Sequence, residues 1–206
     1  MNRHTGAILV LSGPSGAGKS SLITKIKDHI GPIYFSISTT TRPIREGEVD
    51  GVHYHFVDLE EFKQDIEQEM FLEYAVVHGN YYGTSLGPVK KALKEGKLVI
   101  FDIDVQGHDA VQNRLSDITT SVFITTPSLG ELKRRLHNRS TDSEEVISGR
   151  IEMAKREVQR ISEYDFLVVN DNLEEAAEIL VSIAKAARMK IPTLQINEFV
   201  QAWEIS

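Results

Sequence analysis

The clearest chemical signal in the sequence is a glycine-rich stretch that ends in a lysine and a serine. Residues 13–20 read Gly-Pro-Ser-Gly-Ala-Gly-Lys-Ser, which matches the spacing GxxxxGK(S/T). Glycines in such a loop let backbone N–H groups surround a phosphate, the lysine reaches the β- and γ-phosphates, and the hydroxyl binds Mg²⁺. The pattern predicts a nucleoside triphosphate site without saying what accepts the phosphate. The residues predicted to form it are Gly13, Pro14, Ser15, Gly16, Ala17, Gly18, Lys19, Ser20 and Ser21.

Two arginines three residues apart form a second candidate anion site. Arg42 and Arg45 lie in a loop that begins with residues 36–41, Ser-Ile-Ser-Thr-Thr-Thr. Guanidinium groups bind phosphate oxygens through paired hydrogen bonds, and hydroxyl side chains can donate others. Taken alone, arginines in a loop are usually solvated surface charges. Their occurrence in one chain with the glycine-rich loop favours the anion site.

Two carboxylates are candidates for binding a cation or a substrate. Asp102 follows the apolar run that begins at Leu98. A carboxylate at the end of a buried strand is costly unless it is paired or bound to a metal, so Asp102 is predicted to be functional. Glu73 stands in the sequence Phe-Leu-Glu-Tyr, where a glutamate by itself would usually be a solvated strand residue.

These residues must be positioned by strands that are mostly apolar on both faces. Such runs are typical of a parallel sheet covered by helices. Helical patterns occupy residues 19–30 and 173–189, and the second follows Asn172 as a cap, with Glu175 three residues later. The alternation predicts an α/β fold with a doubly wound parallel sheet. The predicted strands are 7–12, 33–37, 98–103, 121–125 and 166–169.

Two stretches interrupt that alternation. Residues 38–85 are polar, with strand-like pieces at 54–57 and 71–78 and a helix capped at Asp58. They predict an inserted lobe of mixed α and β structure. Because the sequence has no internal repeat or linker, we interpret residues 1–206 as a single domain. Its predicted parts are a core at 1–37 and 86–206, an insertion at about 38–85 and a lid at about 137–155.

The lid is predicted to consist of helices that carry basic side chains. Residues 131–160 hold eight Lys and Arg against six Asp and Glu, a local charge of +2 in a chain whose net charge is −7. Ser128 and Glu131 form a capping-box pattern before the first helix. The predicted buried stripes are Leu129, Leu132 and Leu136 on the first helix and Ile147, Ile151, Ala154, Val158 and Ile161 on the second.

Composition limits the classes of function that need to be considered. The 206 residues are 41% hydrophobic and 26% charged, so the chain is expected to fold. A net charge of −7 argues against a general nucleic-acid binder, whose affinity comes from neutralising phosphates. The lack of cysteine excludes disulfides and cysteine-ligated metal sites. Without an apolar run that is long enough to span a membrane, the sequence predicts a cytoplasmic protein.

Taken together, these motifs closely resemble those of the guanylate kinase family. The resemblance is carried by residues 13–20, 36–48, 79–84 (Gly-Asn-Tyr-Tyr-Gly-Thr) and 102–107 (Asp-Ile-Asp-Val-Gln-Gly), and it extends from about residue 8 to 180. It implies a P-loop kinase fold with a nucleotide-acceptor lobe and a helical lid. The implied activity is phosphorylation of GMP, and of dGMP, by ATP with Mg²⁺ as cofactor.

The resemblance also implies roles for residues that match the motifs of the family. The implied GMP site consists of Arg42, Arg45, Tyr54 and Tyr82 at the phosphate, Ser38, Glu73 and Thr84 at the base, and Asp102 and Asp104 beside GMP and the metal. The implied catalytic residues are Lys19, Arg42, Arg135, Arg139 and Arg150, and the implied metal ligands are Ser20 and Asp102. Asn170 falls where the family contacts adenine, although a turn-forming asparagine is an equally good interpretation.

The chemistry of the two nucleotides agrees with these implied roles. Guanine presents N1–H and N2–H₂ donors beside O6, so a fixed carboxylate such as Glu73 can accept two hydrogen bonds. Adenine would leave that carboxylate unpaired, at a cost on the order of 1–3 kcal/mol or more. The phosphate of GMP is mostly dianionic at neutral pH, so no general base is required. Cationic side chains, Mg²⁺ and in-line positioning would overcome the repulsion between the two anions.

Two other functions stay open at this point. Guanylate-kinase-like domains of scaffold proteins bind other proteins without turnover, but they usually lack an intact phosphate-binding loop, and Lys19 and Ser20 are present here. A kinase for another nucleoside monophosphate is opposed by Glu73. His53 and His55 have no third ligand at a suitable spacing, so we predict packing or surface roles for them.

Some features depart from the family or lie outside it. The family more often has proline immediately before the second arginine, where this chain has Ile44, and Thr84 stands where serine is common. The tail beyond Lys190 is not covered by the resemblance, and the sequence leaves the oligomeric state unknown. Apolar residues in the tail predict an amphipathic helix, beginning near residue 197, that packs on the core of the protein rather than in a dimer. These residues are Ile196, Phe199, Val200 and Trp203.

Overall fold

The computed structural model describes residues 5–77, 79–138, 143–194 and 196–205. The strands are β1 Ala7–Ser12, β2 Ile33–Phe35, β3 Thr39–Thr40, β4 His55–Phe56, β5 Phe71–Val77, β6 Asn80–Ser85, β7 Leu98–Asp102, β8 Thr119–Thr125 and β9 Phe166–Val169. The helices are α1 Lys19–Ile26, α2 Leu59–Glu67, α3 Leu86–Lys94, α4 Val105–Leu115, α5 Leu129–His137, α6 Glu144–Val158, α7 Leu173–Ala187 and α8 Ile196–Ile205.

The larger sheet is parallel and covered on both faces. Its strand order is β2-β7-β1-β8-β9, and every neighbouring pair is parallel. The central strand β1 is buried along its whole length. Helices α1 and α7 cover one face through residues such as Leu22 and Leu180. Helices α3 and α4 cover the other through residues such as Val89 and Val111, which confirms the predicted doubly wound sheet.

The edges of this sheet are less covered than the sequence predicts. In β9, Phe166, Leu167 and Val169 are 44%, 48% and 43% exposed, so burial on both faces is wrong for this strand. As an edge strand it has a neighbouring strand on one side, and only its Val168 belongs to the cluster formed with α7. The opposite edge strand, β2, ends at Phe35 instead of residue 37.

The carboxyl ends of the parallel strands bring the chemically interesting segments to one edge. The glycine-rich loop follows β1, and Asp102 is the last residue of β7. Helix α5 follows β8 after its cap Ser128, and Asn170 follows β9. Ligands bind outside the carboxyl ends of the strands in sheets of this kind, so the topology places the candidate site here.

The inserted lobe contains a second sheet of mixed direction. Its order is β4-β3-β6-β5, with β3 parallel to β4 and the other neighbours antiparallel. Asp58 Oδ1 accepts a hydrogen bond of 2.8 Å from Glu61 N and so caps α2 as predicted. The rings of Phe62 and Phe71 stack with centroids 4.4 Å apart, which joins α2 to the sheet. The predicted lobe of mixed α and β structure is confirmed.

The lid helices pack together through fewer apolar residues than predicted. The cap at Ser128 is present, with its Oγ accepting from Glu131 N at 3.1 Å. Leu129 and Val158 are 40% and 37% exposed, so their predicted burial is wrong. Both lie at the ends of their helices, where they border a cavity of about 370 Å³. Ile161, which was predicted for the stripe of the second helix, lies beyond the end of α6. The buried residues are Leu132, Leu136, Ile147 and Ala154, with Ile151 packed against them.

The tail differs most from its prediction. Thr193 is fully buried, with its hydroxyl 2.9 Å from Arg188 O and 2.7 Å from Lys190 O. In the helix that follows, α8, Phe199 and Trp203 are 57% and 72% exposed. The helix is present, but its predicted packing on the core is wrong, since Phe199, Val200 and Trp203 face solvent. Within the described ranges, no helix combines the length and the apolar character that crossing a membrane requires.

Candidate active site

The glycine-rich loop adopts a conformation that its glycines permit. Gly13 has φ 140°, and a Cβ atom there would lie 1.9 Å from Ile124 O, so no larger residue fits. Ala17, within the loop, is fully buried. A cavity of about 230 Å³ opens at the start of α1, where backbone N–H groups favour anions. It is lined by Pro14, Ser15, Gly16, Gly18, Lys19, Ser20 and Ser21.

Lys19 and Asp102 lie together at the edge of this cavity. Lys19 Nζ donates a hydrogen bond of 2.6 Å to Gly13 O and lies 3.7 Å from Asp102 Oδ1. Burial raises the pKa of Asp102, while the charge of Lys19 opposes that rise. Ser20 is exposed at the first turn of α1. A partly desolvated carboxylate and an exposed hydroxyl offer the hard oxygen donors that Mg²⁺ prefers, so these two residues fit the ion.

Asn170 holds the glycine-rich loop from the end of β9. Its Nδ2 donates 2.8 Å to Ala17 O, and its backbone carbonyl accepts from Arg135 Nη2 at 2.9 Å. Gly18 has φ 90°, and a Cβ there would lie 2.3 Å from Asn170 Nδ2. The side chain therefore braces the loop, a role that neither interpretation of the sequence included. Its contact with adenine stays a prediction.

A second cavity, of about 300 Å³, lies between the inserted lobe and the parallel sheet. It brings together six of the residues that the family resemblance implies for GMP. Asp102 belongs to this cavity and also lies 3.7 Å from Lys19 Nζ, so the two cavities adjoin. The lining residues are Ser38, Tyr54, Glu73, Tyr82, Asp102 and Asp104, with Ala75, Ile103 and Gly107.

Glu73 and Thr84 form a hydrogen-bonded pair inside this cavity. The register of β5 and β6 sets them opposite each other, and Thr84 Oγ1 donates to Glu73 Oε1 at 2.6 Å. Thr84 is almost fully buried. Burial raises the pKa of Glu73, and the hydrogen bond from Thr84 opposes that rise. One carboxylate oxygen is thereby held in position, and the carboxylate faces the cavity.

The arginine loop is organised by an acidic residue that sequence reasoning did not assign. Arg42 is 9% exposed, and its Nη2 donates 2.7 Å to Glu48 Oε1. Glu48 Oε2 accepts from Arg45 N at 2.8 Å, and the arginine partner lowers the pKa of Glu48. The Arg42 guanidinium lies 5.4 Å from the ring centroid of Tyr54, whereas the side chain of Arg45 is exposed. Neither arginine lines the cavity. The sequence signal that could have identified Glu48 is the presence of an acidic residue three positions after Arg45.

Aromatic rings and a capping carboxylate complete the wall of the cavity. Tyr54 and Tyr82 meet edge to face with centroids 5.9 Å apart. Asp104 Oδ1 accepts hydrogen bonds from Gln106 N at 3.0 Å and Gly107 N at 2.8 Å. Asp104 therefore caps α4 as well as facing the cavity, so part of its hydrogen-bonding capacity is already used.

Two of the predicted lid arginines contact the glycine-rich loop or its brace. Arg150 Nη1 donates to Ser15 Oγ at 3.0 Å. Arg135 Nε donates 2.6 Å to Glu131 Oε1, and its Nη2 reaches Asn170 O. Arg139 lies outside the described residues. Helix α6 thus contacts the glycine-rich loop through Arg150, and α5 contacts the bracing Asn170 through Arg135.

Two other groups of residues that contain a histidine lie outside the two cavities. His53 Nδ1 accepts a hydrogen bond of 3.0 Å from Val49 N, in line with the predicted packing role. His108, Asp109 and Glu163 are close enough to hold a metal ion. The guanidinium of Arg160 already binds both carboxylates of that cluster, with Nη2 2.6 Å from Asp109 Oδ1. An arginine therefore neutralises this cluster.

The glycine-rich loop lies at the carboxyl edge of a covered parallel sheet, and a polar cavity lies between that sheet and the inserted lobe. This combination is typical of P-loop nucleotide kinases. Comparison with known proteins narrows this class. The sequence model of the family described as guanylate kinase matches residues 5–187. Because that match spans most of the chain, the protein belongs to the guanylate kinase family, which confirms the resemblance seen in its motifs.

Individual relatives agree with the family match. A guanylate kinase of Sulfurimonas denitrificans is 74% identical over 204 residues, which cover 99% of each chain. A guanylate kinase of Wolinella succinogenes is 52% identical and covers 99% of this chain and 95% of its own. The crystal structure of guanylate kinase from Anaplasma phagocytophilum has a TM-score of 0.79 at 31% identity, over 98% of this chain and 96% of its own. The protein is therefore a kinase with the P-loop kinase fold.

Proposed function

We propose that the protein transfers the γ-phosphate of ATP to GMP, producing ADP and GDP, and that it accepts dGMP less readily. The observation that carries this proposal is the position of Asp102. It lines the cavity that contains Glu73 and lies 3.7 Å from the Lys19 ammonium of the glycine-rich loop. A donor bound at the loop and an acceptor bound in the cavity would therefore meet at Asp102.

We propose that Glu73 selects guanine. Its carboxylate faces the cavity with one oxygen bound to Thr84 Oγ1, so lone pairs stay available for the N1–H and N2–H₂ groups of guanine. Ser38 lines the same cavity and supplies a hydroxyl for the polar edge of the base. AMP would direct an acceptor nitrogen toward the carboxylate and leave a buried charge unpaired.

We propose that Tyr54, Tyr82, Arg42 and Arg45 hold the phosphate of GMP. The two tyrosines line the cavity, and the Arg42 guanidinium lies beside Tyr54. Both arginines are tied to Glu48. A bound phosphate would offer the planar guanidinium of Arg42 paired hydrogen bonds, where Glu48 now accepts through a single oxygen.

The proposed transfer needs charge neutralisation more than proton transfer. The attacking oxygen belongs to the phosphate of GMP, which is already mostly deprotonated at neutral pH. Lys19 belongs to the loop, Arg150 contacts its Ser15, and Arg135 contacts the bracing Asn170. These three cations would offset the charge that accumulates in an in-line reaction. A role of the same kind for Arg139 stays a prediction. Ser20 and Asp102 would hold Mg²⁺, which supplies Lewis-acid neutralisation of the triphosphate when bound.

We also propose that residues from about 137 to 155 act as a lid. Arg150 contacts Ser15, and Gly16 of the loop lies against Leu132 and Leu136 of α5. Closure of these helices over bound nucleotides would exclude water, which would otherwise hydrolyse ATP. A cytoplasmic location, which the lack of cysteine favours, belongs to this proposal as well.

A coupled assay of ADP formation tests the proposal with GMP, dGMP, AMP, CMP and UMP, each with ATP and Mg²⁺. We expect rapid turnover of GMP, slower turnover of dGMP and almost none of the other nucleotides. Lys19→Ala should lose at least about 100-fold in kcat, since a cation at the transferred phosphate is removed. Lys25→Ala is the matched control, because Lys25 lies on the same helix and pairs with Glu174.

Two results would contradict this function. Equal rates with AMP and GMP would exclude base selection by Glu73. A folded wild-type protein that forms no GDP would support the alternative of a protein-binding module without turnover.

A further inference from the structure

Arg160 lies just after the end of lid helix α6 and joins this end to helix α4 of the core. Its Nη2 donates 2.6 Å to Asp109 Oδ1, and its Nη1 donates 3.3 Å to Val105 O at the start of α4. Its Nε donates 2.9 Å to Glu163 Oε2 in the segment that leads to β9. One guanidinium therefore connects α4 with the segment between α6 and β9.

The rest of that segment is also attached to the core. The ring of Tyr164 stacks on the ring of His108 on α4, with centroids 4.0 Å apart and planes inclined by 20°. Asp165 Oδ2 accepts hydrogen bonds from Ser121 N at 2.7 Å and from Ser121 Oγ at 2.9 Å on β8. Residues 160–165, which we call the lid base, are consequently held by α4 and β8, and α6 extends from them.

The buried apolar cluster of the lid is separate from the two apolar clusters that cover the parallel sheet. Among the described residues, its members all belong to α5 and α6. The cavity of about 370 Å³ lies between the lid and the edge strand β9, and Ala154, Val158 and Val169 contribute to its lining. Because this gap leaves room for α6 to tilt, contacts outside the apolar cluster must contribute to its orientation.

The orientation of α6 at the lid base determines where Arg150 lies. Arg150 Nη1 donates 3.0 Å to Ser15 Oγ in the glycine-rich loop. An α-helix rises about 1.5 Å per residue, so Arg150 lies about 15 Å along the helix from Arg160. A tilt of about 10° at the lid base would move Arg150 by about 2–3 Å, enough to break a hydrogen bond of this length. The contact of Arg150 with the loop is therefore sensitive to the contacts of Arg160.

We propose that Arg160 is a positioning residue for phosphoryl transfer, because its bonds to α4 orient α6 so that Arg150 reaches the glycine-rich loop. Helix α4 also borders the acceptor cavity, which is lined by its cap Asp104 and by Gly107 in its first turn. Arg160 thus links the lid to the helix beside the acceptor. This inference rests on the proposed function, since it requires that Arg150 acts on the triphosphate.

The test is a double-mutant cycle of Arg160→Gln and Arg150→Ala, in which kcat for GDP formation is measured at saturating ATP, GMP and Mg²⁺. Arg160→Gln should lower kcat about tenfold, since it misplaces Arg150. In the Arg150→Ala background, the same substitution should change kcat by less than about twofold, because its effect passes through Arg150. Lys155→Gln is the matched control, since it breaks the exposed ion pair with Glu152 on the same helix and should retain the wild-type kcat.

A purely structural role of Arg160 gives a different result, because lost stability lowers the melting temperature and leaves kcat unchanged while the variant is folded. An unchanged kcat in folded Arg160→Gln would overturn the proposal, as would full activity of Arg150→Ala or an equal loss in both backgrounds. If Arg160→Gln does not fold, Asp109→Asn replaces it in the cycle and should show the same dependence on Arg150. A folded wild type that forms no GDP would instead overturn the proposed function, which separates the two failures.

Discussion

At the scale of single residues, Glu73 is a partly buried carboxylate whose charge is unfavourable for stability but useful for the proposed binding of guanine. Its carboxylate is removed from water, which raises its pKa, and Thr84 is its hydrogen-bond donor at 2.6 Å. A glutamine would avoid the cost of burying a charge. It would also turn an amide N–H₂ group or a weaker acceptor toward guanine. The charged form is therefore expected to be retained for recognition and not for stability.

We expect the affinity for GMP to fall in mild acid because Glu73 must be ionised to accept two hydrogen bonds. Its pKa is raised, so protonation begins at a higher pH than the ordinary glutamate value of about 4.3. The KM of the wild type for GMP should rise as the pH falls through that raised pKa. At neutral pH, Glu73→Gln should raise this KM about 10- to 100-fold, the size of lost hydrogen bonds to a charged group.

The phosphate of GMP also changes its protonation in a neighbouring pH range, so its titration would itself change the KM for GMP. Comparing KM against pH for the wild type and Glu73→Gln removes it, since the phosphate is common to both profiles. Glu67→Gln, an exposed position on α2 of the same lobe, is the control and should follow the wild type. Identical profiles for all three proteins would mean that Glu73 does not bind the base.

At the scale of elements, the glycine-rich loop depends on the strand end and the helix beside it. Asn170 follows β9 and donates to Ala17 O, while Arg135 of α5 donates to Asn170 O. The loop itself contributes Gly18, where a Cβ would collide with the Asn170 amide. Three elements that are far apart in sequence therefore share one small set of hydrogen bonds.

We expect Asn170→Ala to lower both stability and ATP affinity. Removal of the amide leaves Ala17 O without its donor, which should reduce the free energy of unfolding by about 1–3 kcal/mol. A loosened loop should raise the KM for ATP about tenfold, because misplaced donors lose phosphate contacts. Urea unfolding and steady-state kinetics measure the two effects.

Asn172→Ala separates the two effects. Asn172 caps α7 by accepting from Glu174 N at 2.8 Å, so its loss should cost about 1 kcal/mol of stability without changing the KM for ATP. If both variants changed that KM equally, the role of Asn170 as a brace would be wrong.

At the scale of the whole molecule, the chain packs against the core as far as Thr193, and the helix α8 that follows is exposed. Thr193 is fully buried with its hydroxyl near two carbonyls, and Lys190 Nζ donates to Thr119 O. Beyond them, α8 exposes Phe199, Val200 and Trp203. The stability of the kinase core is therefore expected to depend on residues up to Thr193 and very little on α8.

We expect a chain that ends at Leu194 to retain its stability and its activity. Its melting temperature should change by less than about 2 °C, because about 1 kcal/mol corresponds to 2–4 °C in a chain of this size. Its rate of GDP formation should stay within about twofold of the wild type. A chain that ends at Met189 also loses the contacts of Lys190 and Thr193, and it should melt at least about 4 °C lower. Equal, large losses in both truncations would show that α8 contributes to the core.

Much of the site was predictable because its signals are local or belong to recurrent motifs. The loop of residues 13–20 lies between a strand and a helix, as its glycines and Lys19 predict. Asp58, Ser128 and Asn172 cap their helices as their spacing indicates. The family resemblance added the residues of the acceptor cavity, which composition and periodicity alone would have left as ordinary surface groups.

The sequence by itself determined the parallel sheet, the anion loop and the helix caps, because each depends on neighbours within a few positions or on an apolar repeat. Only the tertiary structure decided that Glu48 binds Arg42 and that Asn170 braces Ala17. It also decided that Trp203 is exposed, although an amphipathic pattern favoured burial. Such outcomes depend on which surfaces the folded elements bring together, and a one-dimensional pattern contains no information about the partner that a side chain meets.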